Sequence, residues 1–164
     1  MGDRSMRENR VIKYLTITLI AIIVIISVIM YQSTATYRST KRQAVEIAKN
    51  LGHINKVDEF YWFTRQENTY SVVGKDDKNE EKIVMIPENG KEALVVYANK
   101  GINQDDAIQA VLDTKETKKI KKVSLGLFKD EPVWEITAES KDNHLVYYLV
   151  DFYSGKIEEG ALKI

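Results

Sequence analysis

The sequence predicts an α+β protein: an N-terminal transmembrane helix followed by two tandem units, each a helix packed on a small antiparallel sheet. Three observations carry this. Residues 14–30, YLTITLIAIIVIISVIM, hold no charge, glycine or proline. Beyond Gly52, short runs rich in β-branched and aromatic residues alternate with polar turns, the pattern of half-buried antiparallel strands. Finally, the landmarks of residues 43–90 return over 106–155 at a near-constant offset of about 63–65 residues, the mark of an internal repeat.

The apolar run comes first. Counted from Val11, about 20 residues carry one lysine, Lys13. At a rise of about 1.5 Å each they cover a hydrocarbon core of roughly 30 Å. This predicts a span over 11–31 after a short tail, 1–10, with the bilayer as the first partner. Arg4, Arg7, Arg10 and Lys13 precede the span, whereas Arg38, Lys41 and Arg42 follow farther out. That bias places the N-terminus in the cytoplasm and the bulk of the chain outside. Ser33-Thr34-Ala35 resembles a small-residue cleavage site. The apolar core exceeds the about 7–15 residues of a signal peptide, so an uncleaved anchor is expected.

No glycine or proline interrupts residues 3–51. Ala44, Val45, Ile47, Ala48 and Leu51 follow a helical spacing, and Gly52 is placed to end the helix in the left-handed conformation. The expected outcome is one helix from about Val11 to Leu51. The alternative is a break in QSTATYRST, where Ser and Thr compete for backbone hydrogen bonds.

The second unit, 99–164, is the clearer copy. Asn103 is a good N-cap, with Asp105 and Asp106 in the first turn. Ala107, Ile108, Val111 and Leu112 form the apolar stripe. Strands follow at VSLGLF, PVWEITA and HLVYYLVDF, with Trp134 and Ile136 alternating against polar Glu135 and Thr137. A turn at Ser154-Gly155 leads to a short strand, Lys156-Ile157-Glu158. The first unit, 32–98, repeats the order with VDEFYWFT, TYSVVG and KIVMIP, then a turn at Asn89-Gly90-Lys91 into ALVVYA. Ala44 pairs with Ala107, Tyr70 with Trp134 and Gly90 with Gly155. Each helix needs one face covered, and a small antiparallel sheet supplies it. A unit of about 60 residues is marginal alone, so the copies are expected to pack together.

The order helix, strand, W-E-I, polar hairpin, V-D-F-Y-S-G-K-I resembles a PepSY domain, a cystatin-like arrangement. The tandem pair behind an anchor resembles the YpmB/TseB-like proteins of Gram-positive bacteria, over nearly the whole chain. The first copy departs from the pattern, with Tyr70 for the tryptophan and Pro87 near the place of Asp151. The resemblance implies an extracytoplasmic, non-enzymatic regulator of cell-wall elongation that works with a class B penicillin-binding transpeptidase. PepSY domains elsewhere imply an alternative, a peptidase inhibitor or chaperone-like module at the cell surface.

Composition supports a non-catalytic reading. With 24 basic and 24 acidic side chains, the chain has no overall basic surplus for nucleic acid. It has no cysteine and two histidines far apart, His53 and His144. It carries no H-E-x-x-H, G-x-S-x-G or phosphate-binding glycine loop. The acidic pairs Asp76-Asp77, Glu80-Glu81, Asp105-Asp106 and Asp130-Glu131 fall in predicted turns and caps. No catalytic residue, cofactor or metal is expected.

Three stretches are candidates for partner binding. Asp151 interrupts an apolar strand; it is either a partner contact or an acceptor for the turn at Ser154-Gly155. Lys118, Lys119, Lys121 and Lys122 could face anionic wall polymer or headgroups, or protect a solvated strand edge. In FYWF, Phe60 and Trp62 point one way, Tyr61 and Phe63 the other. One pair belongs to the core. The other is covered by the second unit or exposed to a partner, which makes Tyr61 and Phe63 candidate contacts.

Overall fold

The computed structural model describes residues 3–65, 67–158 and 162–163. The start of the expected tail and positions 159–161 and 164 of the second unit lie outside the described residues. The chain divides into two compact units, Met1–Thr40 and Lys41–Ile164.

Helix α1 covers Asp3–Gly52 without interruption. QSTATYRST is therefore helical, and the alternative of a break does not hold. In the first unit the apolar side chains from Leu15 to Met30 stand exposed, and the helix is long and apolar enough to cross a membrane. An apolar surface on every side of a helix is compatible with lipid and not with water.

The second unit contains the last turns of α1 and two four-stranded sheets. Sheet A is formed by β1 (Lys56–Phe63), β2 (Thr69–Lys75), β3 (Glu81–Pro87) and β4 (Leu94–Tyr97), paired antiparallel in chain order. A short 3-10 helix, Ala98–Lys100, leads to α2 (Gln104–Leu112). Sheet B follows the same order with β5 (Thr117–Phe128), β6 (Glu131–Ser140), β7 (Leu145–Asp151) and β8 (Leu162–Lys163). The expected strand at 156–158 is reduced to one bridge, Ile157 to Val150. Strand β5 begins before VSLGLF, so the lysine run is part of it.

The end of α1 lies on one face of sheet A. Ala44 and Ala48 are buried with Ile54, Val72 and Val84. The buried stripe is narrower than the sequence predicts, for Ile47 and Leu51 remain 37% and 53% exposed. Val45 is partly buried against the same cluster. The helix also ends one residue later than expected. His53 takes the left-handed conformation, φ 54°, while Gly52 is needed for space: a Cβ there would lie 2.6 Å from Val84 Cγ2.

Helix α2 starts as predicted, with Asn103 Oδ1 accepting the Asp106 N–H at 2.9 Å. Its buried residues are Ala107 and Val111. They belong to a hydrophobic cluster that combines Trp134, Ile136 and Val150 of sheet B with Val73, Ile83 and Met85 of sheet A. The two sheets thus share one core. Glu135 and Thr137, which alternation assigns to a solvent face, are buried at 8% exposure each.

Candidate interaction surfaces

Phe63 is fully buried against Val133 and Leu149 of sheet B. Of the two alternatives for this side of FYWF, burial is the one observed for Phe63, which is covered by sheet B. Gly126 makes the seat for its ring, since a Cβ there would stand 2.4 Å from Phe63 Cγ. Phe60, on the opposite face, packs with the α1 cluster, as strand alternation requires.

Tyr61 is half-buried and meets the Trp134 ring edge-on, with centroids 5.5 Å apart. Its hydroxyl lies between the Glu59 carboxylate and Gln104, 2.6 Å from Gln104 Oε1. Burial and the neighbouring Glu59 carboxylate push its phenol far above the ordinary range, with Glu81 adding to the effect. Its role is to join β1 to α2. Trp134, in turn, donates from Nε1 to the Ile102 carbonyl at 3.1 Å. Ser71 Oγ donates to the Leu125 carbonyl at 2.8 Å, and Arg65 pairs with Glu135 at 3.1 Å. These polar links accompany the buried sheet-to-sheet contact.

Asp151 acts as the acceptor of the turn. Its Oδ1 takes the Ser154 N–H at 2.6 Å and the Ser154 hydroxyl at 2.5 Å, and Gly155 follows with φ 68°. The turn-acceptor alternative is the one this geometry shows, through Oδ1. In sheet A, Asn89 Oδ1 accepts the Lys91 N–H at 3.0 Å beside Gly90, φ 80°.

The lysine run lies on β5, an edge strand of sheet B bulged between Thr117 and Lys119 and again between Ile120 and Lys122. Lys118 and Lys121 both pair with Glu139, at 3.0 Å and 2.5 Å. These two ammonium groups hold the Glu139 carboxyl down at about 2. Lys119 and Lys122 are exposed and have no ion-pair partner among the described residues. Only half of the expected basic patch is therefore uncommitted charge. Bulges and lysines on an edge are devices that block strand addition.

One feature escaped the sequence. A cleft of about 410 Å³ has an apolar floor that includes Val73 and Trp134, and Asp58, Glu59, Glu81 and Asp105 line it. Sequence reasoning assigned Glu81 and Asp105 to solvated turns and caps, because nothing in their spacing places them beside Asp58. No group of three or more His, Asp or Glu suited to a metal occurs among the described residues. His144 is exposed at the start of β7.

Comparison with known proteins agrees with this architecture. Residues 43–87 match the model of the "Cell wall elongation regulator TseB-like domain", and residues 101–160 match "Peptidase propeptide and YPEB domain", the PepSY family. A Bacillus subtilis (strain 168) protein named "Probable cell wall elongation regulator TseB" is 30% identical over 137 residues, which cover 82% of this chain and 85% of that protein.

The chain belongs to the TseB-like family.

The solved structure of the YpmB protein from Bacillus subtilis superposes with a TM-score of 0.69 at 29% identity, over 75% of this chain and 96% of that one. The TseB-like match begins inside α1 and ends with β3, and the PepSY match runs from Gly101 through the Ile157 bridge.

Proposed function

We propose that this TseB-like protein is a single-pass membrane protein, N-terminus in the cytoplasm, which regulates cell-wall elongation by binding a class B penicillin-binding transpeptidase. The observation that carries the reading is the 30% identity to a protein named as a cell wall elongation regulator over most of both chains. In this reading residues 1–10 are the tail and 11–31 the span. Residues 32–98 and 99–164 are two copies of one PepSY-like unit. Agreement in role supports the duplication: Ala44 and Ala107 are the buried helix contacts, and Gly90 and Gly155 both take positive φ.

The chain works by contact and not by catalysis. A buried, shared core joins the two sheets, and the cleft, the β4 edge and the uncommitted lysines are among the surfaces open to a partner. A second reading, a peptidase-binding module, is favoured by the peptidase-propeptide family matched over 101–160.

In-cell photo-crosslinking from Lys119, Lys122 and Tyr97 of the full-length protein distinguishes them. All three are exposed. Capture of a penicillin-binding transpeptidase is the expected result. Capture of a secreted peptidase without any transpeptidase overturns the first reading in favour of the second. Recovery of wall polymer alone overturns both.

A further inference from the structure

The cleft beside Tyr61 is built in a way that its neighbours in sequence do not explain. Asp58 and Glu59 are consecutive in β1, and consecutive strand residues normally point to opposite faces. Here both line one cavity. The cause is a β-bulge: the pairing with β2 skips Asp58 between Val57 and Glu59. Bulges re-aim side chains and recur next to binding sites. Glu81 reaches the same cavity from the start of β3, and Asp105 from the first turn of α2. Four carboxylates therefore line the cleft against one lysine, Lys75.

Below this rim the surface changes character. Val73, Ile83, Ala98, Ile102 and Trp134 form the floor. The volume, about 410 Å³, lies in the lower part of the roughly 300–1,000 Å³ range of ligand sites. An apolar floor with an anionic rim matches a side chain made of an aliphatic stem and a cationic head. Its carboxylates do not converge into a group of three suited to a metal ion among the described residues, and it repels anions. The positive end of the α2 dipole disfavours a cation at Asp105. That leaves Asp58, Glu59 and Glu81 to receive the head. Asp58 is paired with Lys56 at 3.3 Å and Glu59 is held by the Tyr61 hydroxyl, whereas Glu81 has no ion-pair partner among the described residues and is the main acceptor for the head.

We propose that this cleft is a docking site for a lysine or arginine side chain of a partner polypeptide. The inference rests on the reading that the protein works by binding another protein, but not on which protein that is.

The test uses the full-length protein in phosphatidylcholine nanodiscs, labelled with 5-fluorotryptophan. The chain has two tryptophans, and Trp134 lines the cleft, so its ¹⁹F resonance is the reporter and Trp62 the internal control. Blocked alanine pentapeptides with a central lysine, arginine, norleucine or glutamate are titrated, with spermine as a further probe. The expected result is a saturable shift of the Trp134 signal with the lysine and arginine peptides only. Affinity should fall about tenfold or more in D58N/E81Q, through loss of two charge-assisted contacts, and fall again at high salt. E81Q alone, at an exposed and unpaired position, should weaken binding if the double variant is poorly folded. Equal binding of the norleucine peptide, undiminished affinity in E81Q, or binding of spermine without the lysine peptide would each overturn the proposal. So would no shift with any peptide. Crosslinking from Lys119 is independent of this titration, so failure of the cleft and failure of the transpeptidase reading are separable.

Discussion

The ring of Phe63 in sheet A rests on the backbone of Gly126 in sheet B, and an added Cβ at position 126 would fall 2.4 Å from Phe63 Cγ and 2.5 Å from its Cβ. Both atoms are at the root of the side chain, so the ring cannot simply swing away. Gly126→Ala is expected to destabilise the protein by about 1–3 kcal/mol, the range for overpacking a close contact. Denaturant unfolding checks this.

Phe63→Ala tests the opposite error. Removing a fully buried aromatic from between Val133 and Leu149 should cost about 3–5 kcal/mol. The expected signature is a lowered melting temperature of the folded unit. Loss of partner crosslinking at unchanged stability would show that Phe63 is a contact residue after all.

Arg65 and Glu135 form an ion pair with side chains 19% and 10% exposed. Arg65→Met leaves the Glu135 carboxylate without its partner and should cost roughly 1–3 kcal/mol. Arg65→Met with Glu135→Leu should recover most of it, because two apolar groups leave no uncompensated charge. Chemical denaturation of the single and double variants gives the answer.

Glu139 supplies a pH prediction. Its folded carboxyl is held down at about 2 by Lys121 and Lys118, against about 4.3 for an ordinary glutamate. A depressed carboxylate contributes stability that is present above the unfolded value and lost as pH falls through the folded one. Lys118→Gln with Lys121→Gln should therefore raise the Glu139 pKa toward 4.3. The stability gap between this variant and the parent should narrow as pH drops from about 4.3 toward 2. A ¹³C NMR titration of the Glu139 carboxyl reads the shift directly. An unchanged pKa would mean that the ion pairs are not formed in solution.

Much of the architecture was legible because it depends on local chemistry. The Asn103 cap, the glycine turns at Gly90 and Gly155 and the alternation of FYWF each follow from what neighbouring residues allow. Asp151 was legible as a turn acceptor for the same reason, since its partners lie three residues away. Other features stayed open or misled. KKIKK left a basic patch and a protected strand edge as alternatives, and only the structure shows that Glu139, on the neighbouring strand, pairs with both Lys118 and Lys121 and offsets one of their two charges. Gly52 read as the left-handed residue, but the close approach of Val84 gave it a different duty.

By itself, the sequence determined the apolar N-terminal helix and the antiparallel strand runs, which arise from contacts between near neighbours or from simple periodicity. Only the tertiary structure decided which faces are buried. Alternation marks Glu135 as solvent-facing and Tyr61 and Phe63 as either core or contact. Both questions are answered by the second sheet, whose position depends on contacts across tens of residues such as Ser71 to Leu125. The cleft belongs to the same class. A bulge at Asp58, a strand start at Glu81 and a helix start at Asp105 come together only when the sheets share one core.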